Sequence, residues 1–588
     1  MRTGAVLLIL LLSSVHVCVA QADTQTGAQT ASQVQTIYAS GVEALKKGDL
    51  AAARAAFEKV IKVLPGSPDA HNSLGFVLLT QGNYDAAITQ FREALKYQPS
   101  FVQARDNLAN ALLAKGEAAA ALQEARKTIG MAPDDAEAFR ILGHALDTTG
   151  QTADAAMALR KAIELDPERA ELHDDLGSLL VRQSQNQLAG AEFQQALQLD
   201  PNLASAHFHL GVLRYQQKSF DEAAAHLQAA VQTNPLDPGA HYYWALLLRT
   251  QGDSQAAARE LQTCVQLKPD YPDAQNTLGL LMQGLNQLEP AATAFRAAIQ
   301  VQPDNPDPHN NLGLVLLEGG DAHGAIAEFR AALQLRPDDA GYWANLGDAY
   351  LQVSDFDAAF KQFQEGLKIA PQDATLHYDL GLTLKLQDKL QEAEAELRKA
   401  SELDPKQADA HYTLGVTLWQ EGNFDSAENE LRAATSIKPD YAEAFYTLGT
   451  VLKQKGDLQG AATALREAIR LQPEFAGAHT TLGAVLRQLG DKEEAAAESK
   501  LGAEIAKQKT SEQAALFATN SGKRLLNAGD LDGAISQFRS AISSVPDFAL
   551  AHFELAQALQ QKGQKEEARQ EYKKAAALDP RLTAPTNE

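Results

Sequence analysis

Histidine is the residue type in this sequence best suited to acid–base or metal chemistry, and the chain contains 14 histidines. A catalytic or metal site needs such side chains to converge on one point with a carboxylate, a base or further ligands. His207 and His209 form the tightest pair, but residues two apart on a helix point to different faces. Nine of the fourteen occupy one place in a repeated segment: His71, His173, His207, His241, His309, His377, His411, His479 and His552. We therefore expect these nine to have a structural role.

Paired carboxylates are the second candidate for chemistry. Asp134 with Asp135, and Asp338 with Asp339, each follow a proline, at a place where aspartate caps the next helix. The loop at residues 303–308 has a calcium-like composition but lacks the central glycine and distal glutamate of an EF-hand. We find no glycine-rich phosphate loop, zinc-ligand spacing or nucleophile elbow in the sequence. We therefore predict that the protein is not an enzyme and holds no metal or cofactor.

Length and composition limit the class of protein further. At 588 residues the chain is longer than one hydrophobic core supports, so it contains several domains or a stacked repeat. Aromatic residues make up only 6%, which argues against one large globular core. The net charge of −23 and the pI near 5.1 describe an acidic surface, whereas nucleic-acid binding needs clustered Lys and Arg. We therefore expect no nucleic-acid partner.

The first 22 residues have the features of a secretory signal peptide. Arg2 provides a positive start, residues 5–12 are uniformly apolar, and residues 20–22 include small side chains suited to cleavage. The alternative is a retained membrane anchor, but the apolar run is interrupted from Ser13 onward and is too short to span a bilayer comfortably. We predict export to the periplasm or exterior of a bacterium, with no transmembrane segment left after cleavage of residues 1–22.

The two cysteines allow neither a disulfide framework nor a thiolate metal site. Cys18 lies within the predicted signal peptide, and Cys264 is alone in the mature chain. Lipid attachment at Cys18 is another alternative, but residues 15–17 lack the Leu and small residues that usually precede a lipidated cysteine. We do not expect a lipid anchor there.

A period of 34 residues runs through almost the whole chain. Prolines mark it at positions 65, 99, 133, 167, 201, 235, 269, 303, 337, 371, 405, 439 and 473. With each proline at position 32 of a repeat, the first repeat is 34–67 and the fourteenth is 476–509. After a shift of five residues, two more repeats follow at 515–548 and 549–582. A fixed period of this length predicts stacked helical repeats that bury their apolar faces against their neighbours.

The repeated pattern resembles that of the tetratricopeptide-repeat family over residues 34–582. It includes a Leu–Gly pair at positions 7 and 8 (Leu74 and Gly75), Ala at position 20 in all sixteen repeats, and Phe or Leu at position 24 (Phe91). The resemblance implies an all-α fold, a right-handed α-solenoid superhelix of about sixteen helix-turn-helix repeats. Small residues at positions 8 and 20 permit a close crossing of helices A and B. Gly at position 15, present in eleven repeats, can end helix A in the left-handed conformation.

These patterns divide the chain into six segments. After the signal peptide, residues 23–33 are rich in Gln, Thr and Ser, which predicts a flexible linker. Lys507 replaces the expected proline in the fourteenth repeat, so we expect a longer helix to join two groups of repeats. The remaining segments are a main array of fourteen repeats (34–509), an insertion in the joining helix (510–514), a terminal pair of repeats (515–582) and a tail (583–588).

In this family helix A of each repeat lines a concave groove, so the resemblance implies that positions 2, 5, 6, 9, 12 and 13 face a partner. Position 5 is aromatic in two runs of consecutive repeats: Phe208 and Tyr242, then Tyr378, Tyr412 and Tyr446. A polar band lies between them: Asn276, Asn310, Asn311, Asn345, Asp348 and Asp379. Tyrosine rings and side-chain amides suit an extended polypeptide. The alternative is that the rings pack sideways between neighbouring helices.

The repeats are similar to the superhelical arm of O-linked N-acetylglucosamine transferase, in which an Asn before the Leu–Gly pair forms a ladder. The matching residues here are Asn107, Asn311, Asn345 and Asn520, whereas other residue types interrupt the ladder elsewhere. No segment resembles the glycosyltransferase domain of that enzyme, so we expect the arm without the enzyme. Position 5 never carries Lys, which argues against the Lys–Asn clamp that family members use for chaperone C-termini.

The sequence therefore predicts a non-enzymatic, exported scaffold or adaptor that binds a partner protein or extended peptide along its concave groove. One alternative is an assembly subunit of an envelope or exopolysaccharide export machine, which would co-fractionate with an outer-membrane pore. Another is a substrate-recognition arm for a separately encoded enzyme such as a glycosyltransferase, which would form a tight complex with a catalytic chain. The sequence makes no prediction of oligomeric state.

Overall fold

The computed structural model of the protein describes residues 25–583, with side chains from residue 32 onward. That part of the chain contains 31 helices and no strand, and 81% of the residues are helical, which confirms the predicted all-α class. The predicted signal peptide lies outside the described residues, as does most of the predicted tail. No helix among residues 25–583 is both long enough and apolar enough to cross a membrane.

The chain forms two compact units, and within each unit consecutive helices pack against one another in pairs. The first unit, up to Val301, contains α1 Gln25–Lys46, α2 Leu50–Val63, α3 Pro68–Thr80, α4 Tyr84–Tyr97, α5 Val102–Lys115, α6 Ala118–Met131, α7 Ala136–Thr148, α8 Thr152–Leu165, α9 Ala170–Arg182, α10 Asn186–Leu199, α11 Ala204–Gln216, α12 Phe220–Thr233, α13 Pro238–Thr250, α14 Ser254–Leu267, α15 Pro272–Gly284 and α16 Leu288–Val301. In this unit, odd-numbered helices are helix A of a repeat and even-numbered helices are helix B. Helix α1 begins within the predicted linker, so residues 25–33 are helical in the structure.

The second unit runs from Gln302 onward. It contains α17 Pro306–Glu318, α18 Ala322–Leu335, α19 Ala340–Gln352, α20 Phe356–Ile369, α21 Ala374–Leu386, α22 Leu390–Leu403, α23 Ala408–Gln420, α24 Phe424–Ile437, α25 Ala442–Lys455, α26 Leu458–Leu471, α27 Ala476–Leu489, α28 Lys492–Asn527, α29 Leu531–Ser544, α30 Ala549–Gln561 and α31 Lys565–Leu578. The alternation continues up to α27, after which α28 combines a helix B with a helix A, α29 and α31 are helices B, and α30 is a helix A. Each helix A therefore occupies the first half of a 34-residue repeat, as the period in the sequence requires.

The turn from helix A to helix B places position 15 in the left-handed region in all sixteen repeats. Eleven of these residues are glycines, with φ between 76° and 96°, which confirms their predicted role. The other five, with φ between 57° and 62°, are Ser184, Lys218, Asn286, Ser354 and Asp388. The left-handed conformation costs an L residue roughly 1–2 kcal/mol. Because all sixteen turns adopt it, the packing of the two helices maintains the turn even without glycine.

Helix A crosses helix B at a glycine. A Cβ atom placed on Gly75 would lie 2.6 Å from Cε1 of Phe91, and one on Gly143 would lie 2.8 Å from Cγ of Leu159. Phe91 is 0% exposed and Leu159 is 2% exposed, so neither has room to withdraw. Because glycine has no side chain, the side chain at position 24 can occupy the space beside it, as expected for closely packed helices.

Helix α28 runs for 36 residues through the place where the 34-residue period shifts. It combines helix B of the fourteenth repeat with helix A of the fifteenth, and no proline interrupts it. Its buried residues lie at or before Gly502 and from Ala515 onward, whereas none of residues 503–514 is buried. The middle of α28 is therefore not packed in the way that an ordinary repeat helix is.

Candidate functional site

The aromatic residues predicted to line the groove of the second unit occupy equivalent places on three successive helices A. Tyr378, Tyr412 and Tyr446 lie on α21, α23 and α25, and each side chain is half-buried. The ring centroid of Tyr412 lies 4.9 Å from that of Tyr441, and that of Tyr446 lies 4.7 Å from that of Phe475. Each of these two rings therefore packs sideways against the last residue of its own repeat, while part of its surface stays accessible.

The hydroxyl groups of these tyrosines differ in whether they have a partner. The hydroxyl of Tyr378 is hydrogen-bonded to the side chain of Thr413, and burial raises the pKa of Tyr378. Within the described part of the chain, the hydroxyls of Tyr412 and Tyr446 make no hydrogen bond. A tyrosine hydroxyl usually finds a hydrogen-bond partner when it is buried. These two groups are therefore free to bond with water or with a ligand.

Phe208 and Tyr242 occupy the same place on α11 and α13 of the first unit. The ring centroid of Tyr242 lies 5.1 Å from that of Tyr271 and 5.4 Å from that of Tyr243. The ring of Phe208 meets that of Tyr243 edge-on at 5.9 Å. These residues form a local aromatic cluster with half-buried rings, in which sideways packing takes up much of their surface.

A recurring contact joins position 5 of one repeat to position 6 of the next, 35 residues later. In the second unit Nδ2 of Asn345 donates a 2.8 Å hydrogen bond to Oδ1 of Asn310. The equivalent contacts in the first unit are Tyr38–Ser73 at 2.8 Å, Asn72–Asn107 at 2.9 Å, Arg140–Asp175 at 2.5 Å and Asp174–His209 at 2.8 Å. These side chains therefore tie successive helices A together.

The other predicted asparagines lie near this row of contacts. Asn276 and Asn311 both interact with neighbouring groups, whereas the side chain of Asn520 on α28 is exposed. Asn107 is buried and donates to Asn72, so it is an internal strut of the first unit. Two asparagines of the predicted ladder, Asn107 and Asn345, therefore each donate a hydrogen bond to the position 5 asparagine of the preceding repeat.

The two predicted groove carboxylates, Asp348 and Asp379, lie on α19 and α21. Burial, and then the charges of Asp348 and Asp373, raise the pKa of Asp379 to about 7. Loss of solvent also raises the pKa of Asp348 to about 6, although its side chain is exposed and water screens its charge more effectively. Near neutral pH this part of the predicted groove therefore carries less negative charge than its residue types suggest.

A charged network that we did not predict occupies the equivalent face of α7 and α9 in the first unit. Nε of Arg140 lies 2.5 Å from Oδ2 of Asp175, which also contacts Nε2 of His144 at 3.0 Å. Burial acts to raise the pKa of Asp175, but His144 and Arg140 together lower it to about 2. Arg169 pairs with Glu137 at 2.8 Å beside this group. The sequence did contain a signal for this network, because Arg140 and Asp175 place opposite charges at positions 5 and 6 of adjacent repeats.

The histidines at position 4 lie outside the groove positions and hold the repeat together. Nδ1 of His241 lies 2.6 Å from Oε2 of Glu260, and its Nε2 lies 3.0 Å from the carbonyl oxygen of Pro235. The hydrogen bond that His241 donates to Glu260 is the main cause that raises the pKa of His241. Seven of the nine histidines make this contact with a Glu nineteen residues later. This contact confirms their expected structural role.

Metal ligands and the thiol of Cys264 are the other candidates for chemistry in the described residues. Between residues 25 and 583 no three His, Cys, Asp or Glu side chains are arranged to hold a metal ion. Cys264 is fully buried on α14, and burial raises the pKa of its thiol to about 11. A thiol with a raised pKa is a poor nucleophile, because the thiolate is the reactive form.

Comparisons with known families cover most of the chain. The family model "Tetratricopeptide repeat" matches residues 38–100, 77–136, 107–170, 140–204, 175–241 and 519–582. The model "TPR repeat" matches residues 284–320, and the model for the C-terminal domain of cilia and flagella-associated protein 70 matches residues 305–518. No curated protein matches the sequence.

Several solved structures are similar to parts of the chain. The crystal structure of MamA is 28% identical, covering 28% of this chain and 96% of that one, with a TM-score of 0.27. The structure of YrrB, described as a TPR protein with an unusual peptide-binding site, is 28% identical over 32% of this chain and 97% of that one (TM-score 0.29). The Cut9–Hcn1 hetero-tetramer of the APC/C provides a match at 15% identity over 78% of this chain and 98% of that one (TM-score 0.36).

Proposed function

The chain belongs to the tetratricopeptide-repeat family, and from this premise we propose that it is an exported, non-enzymatic scaffold that binds an extended segment of a partner protein. The fold is that of a protein-interaction scaffold. The proposed binding surface is the groove face of α21, α23 and α25, with α17 and α19 extending it on one side. The occupant is a polypeptide in an extended conformation.

The row of Tyr378, Tyr412 and Tyr446 is the observation that carries this proposal. Each ring is half-buried, so it is held in place before a partner arrives and loses little entropy on binding. The hydroxyls of Tyr412 and Tyr446 lack partners among the described residues, so each can donate to a backbone carbonyl. A rigid ring with an unused donor, repeated at equal intervals, suits an extended chain better than a single small ligand.

The asparagine pair beside this row supports the same occupant. The bond between Asn345 and Asn310 uses one N–H of the first amide and one lone pair of the second oxygen. Each amide therefore keeps both donor and acceptor capacity, and such groups can bond to a peptide backbone without reading its side chains. We infer that these residues contribute affinity for the backbone, while the tyrosines contribute apolar contact.

The first unit suits such a partner less well around α7 and α9. Arg140, Asp175 and His144 already satisfy one another, and the pKa of Asp175 is held near 2 by that arrangement. A peptide would have to compete with these internal contacts, which costs free energy whenever a buried charge loses its partner. We therefore place the main binding surface in the second unit.

Export is the second part of the proposal and rests on residues 1–22, with Arg2, the apolar run at 5–12 and the small residues at 20–22. Cell fractionation of the full chain tests it directly. We expect the mature protein to begin near residue 23 and to appear in the periplasm or the medium. A full-length protein that stays in the cytoplasm would contradict this part and leave the groove proposal standing.

Affinity capture from extracts of the source organism tests the groove. The bait is the chain without residues 1–22, and the test variant changes Tyr378, Tyr412 and Tyr446 to Ala. The matched control changes the same three residues to Phe, which keeps the rings and removes the hydroxyls. We expect the Ala variant to lose a partner that wild type retains, and the Phe variant to retain part of it. Equal capture by wild type and a folded Ala variant would overturn the proposal.

A further inference from the structure

A cavity of about 590 Å³ opens on the fourth repeat, where α6, α7 and α8 meet. Its apolar lining comes from Phe139, Leu142 and Leu146 on helix A and from Met157 and Ala158 on helix B. These helix A residues occupy positions 4, 7 and 11 of the repeat, none of which is a groove position. The cavity is therefore separate from the proposed peptide-binding surface.

This repeat lacks the His–Glu contact that seven other repeats make between positions 4 and 23. In the next repeat, Nδ1 of His173 lies 2.7 Å from Oε2 of Glu192. The corresponding residues here are Phe139 and Ala158. Alanine leaves empty the volume that the glutamate side chain fills elsewhere, and phenylalanine replaces a polar ring with an apolar one. Met157 is 67% exposed beside this space, and its flexible thioether side chain can adapt to a bound group.

Arginines lie at the edge of this apolar cavity. Arg126 on α6 and Arg160 on α8 are both exposed and line it. Neither makes an ion pair or a side-chain hydrogen bond with any residue in the range 32–583. Lys161 also lines the cavity, but its Nζ lies 2.8 Å from Oε2 of Glu164 and is thus already paired. Two carboxylates, Asp154 and Glu164, also line the cavity, and Glu164 is the partner of Lys161. With two unpaired guanidinium groups, the lining keeps a net positive charge in a chain whose net charge is −23.

We propose that this cavity binds an amphipathic anion, with an apolar chain against Phe139 and Ala158 and a carboxylate bound by Arg126 and Arg160. Burial of the apolar chain provides most of the affinity. The arginines provide specificity, because guanidinium groups bind carboxylates through charge-assisted hydrogen bonds. A neutral molecule of the same shape leaves the arginines unused, and a cationic one is repelled by them.

The thirteenth repeat provides an internal comparison. It carries the same apolar pair, Phe445 and Ala464, and an arginine at each of the two corresponding positions. There, however, Arg466 pairs with Glu494 at 2.7 Å, and Arg432 pairs with Glu428 at 2.8 Å. The cations of that repeat are therefore occupied, and we assign no anion site to it.

Calorimetric titration of the full-length mature protein with decanoate tests the proposal, with decanol and decyltrimethylammonium as uncharged and cationic probes. We expect saturable binding of one decanoate per chain and at least tenfold weaker binding of the other two. R126Q combined with R160Q should weaken decanoate binding at least tenfold. Equal binding of decanoate and decanol, or no saturable binding of decanoate, would overturn the proposal.

A second pair of variants separates loss of the site from loss of the fold. F139H combined with A158E restores the His–Glu contact of the neighbouring repeat, so the protein should remain folded while the cavity is filled by a carboxylate. We expect it to abolish decanoate binding. The matched control, F445H with A464E in the thirteenth repeat, should leave binding unchanged. Loss of binding in the control, or retention in the first variant, would overturn the assignment.

Flotation with phosphatidylglycerol vesicles distinguishes a free amphiphile from a lipid headgroup. Binding of decanoate without flotation identifies a free carboxylate as the ligand. Flotation that disappears in the R126Q and R160Q variant identifies an anionic lipid recognised by the same two arginines. Flotation unaffected by these changes, in the absence of decanoate binding, would contradict the proposed site.

Discussion

The side-chain amide of Asn345 donates a hydrogen bond of 2.8 Å to the amide oxygen of Asn310, one repeat earlier. The two residues lie on successive helices A, α19 and α17, at positions that we propose face the groove. The bond therefore joins successive repeats at the same surface that we propose for partner binding. In a repeat protein, where stability comes from contacts between neighbours, such a link affects both stability and the shape of the groove.

A double-mutant cycle measures this link. We expect Asn310→Ala and Asn345→Ala each to lower the stability of the second unit, with a coupling energy of about 0.5–1.5 kcal/mol, because the net value of one hydrogen bond is of that order. Urea unfolding followed by circular dichroism provides the measurement. Strictly additive effects of the two changes would show that the bond contributes nothing.

The close helix crossing at Gly75 predicts that a single added methyl group lowers the stability of the protein. Gly75→Ala places a methyl group 2.6 Å from the ring of Phe91, which is fully buried. We expect a loss of about 1–3 kcal/mol in stability, as for other overpacked sites. Gly130→Ala is the control, because a Cβ there meets nothing within 4 Å. It should instead stabilise the protein by about 0.4–1 kcal/mol through the unfolded state.

The contact between His411 and Glu430 predicts a stability that depends on pH. Nδ1 of His411 lies 2.7 Å from Oε2 of Glu430, and this bond is the main cause that raises the pKa of His411 above its usual 6.5. A raised pKa means that the contact stabilises the fold fully below about pH 6.5 and that this contribution is lost as the pH rises through the raised value. We expect Glu430→Gln to lower the urea midpoint more at pH 6 than at pH 9.

In the second repeat a glutamine takes the place of this glutamate, so the reverse substitution there serves as a control. Nδ1 of His71 lies 2.7 Å from Oε1 of Gln90. We expect Gln90→Glu to raise the urea midpoint, and to do so more at pH 6 than at pH 9. Shifts of equal size at the two pH values, in either variant, would contradict the account of the His–Glu contact.

The buried carboxyl group of Asp106 is expected to lower the stability of the fold as the pH rises. Its side chain is buried, and Oδ1 has no hydrogen-bond partner. Burial, and then the charge of Asp135, raise the pKa of Asp106 to about 8. The folded protein thus loses stability as the pH rises from about 4 to about 8, because Asp106 is ionised more readily in the unfolded chain. Glu137 also faces this carboxyl, and its charge adds to the effect.

We expect Asp106→Asn to raise the urea midpoint by an amount that grows from pH 5 to pH 8 and is constant above pH 8. Asp175→Asn is the contrasting variant, because Arg140 and His144 hold the pKa of Asp175 at about 2. It should destabilise the protein throughout the range from pH 5 to pH 8. A benefit of Asp106→Asn that is the same at pH 5 and pH 8 would contradict the raised pKa.

The 34-residue period predicts most of the fold, since position 15 ends helix A and proline ends helix B. The left-handed turns at Lys218 and Asp388 were not predicted, because only the packing of the two helices forces a non-glycine residue into that conformation. The helical start of α1 at Gln25 was also missed, because a composition rich in Gln, Thr and Ser does not distinguish a linker from an extended first helix.

The contacts within the groove could be predicted only in part. Which residues face the groove stays a prediction from the sequence, whereas the pairing of Asn345 with Asn310 depends on how one repeat rotates against the next. Two signals in the sequence were nevertheless available. A Glu follows most of the position 4 histidines after nineteen residues, as with His241 and Glu260, and opposite charges recur 35 residues apart, as with Arg140 and Asp175.

Site-specific photo-crosslinking tests the central claim most directly. In one sample benzoylphenylalanine replaces Tyr412, on the proposed groove face of α23. In another it replaces Asn429, which is exposed on helix B (α24) of the same repeat. Both proteins are irradiated in extract from the source organism, and the crosslinked partners are identified by mass spectrometry. The account predicts a specific partner crosslinked at position 412 and absent at position 429. The same partner crosslinked at position 429 and absent at position 412 would contradict it.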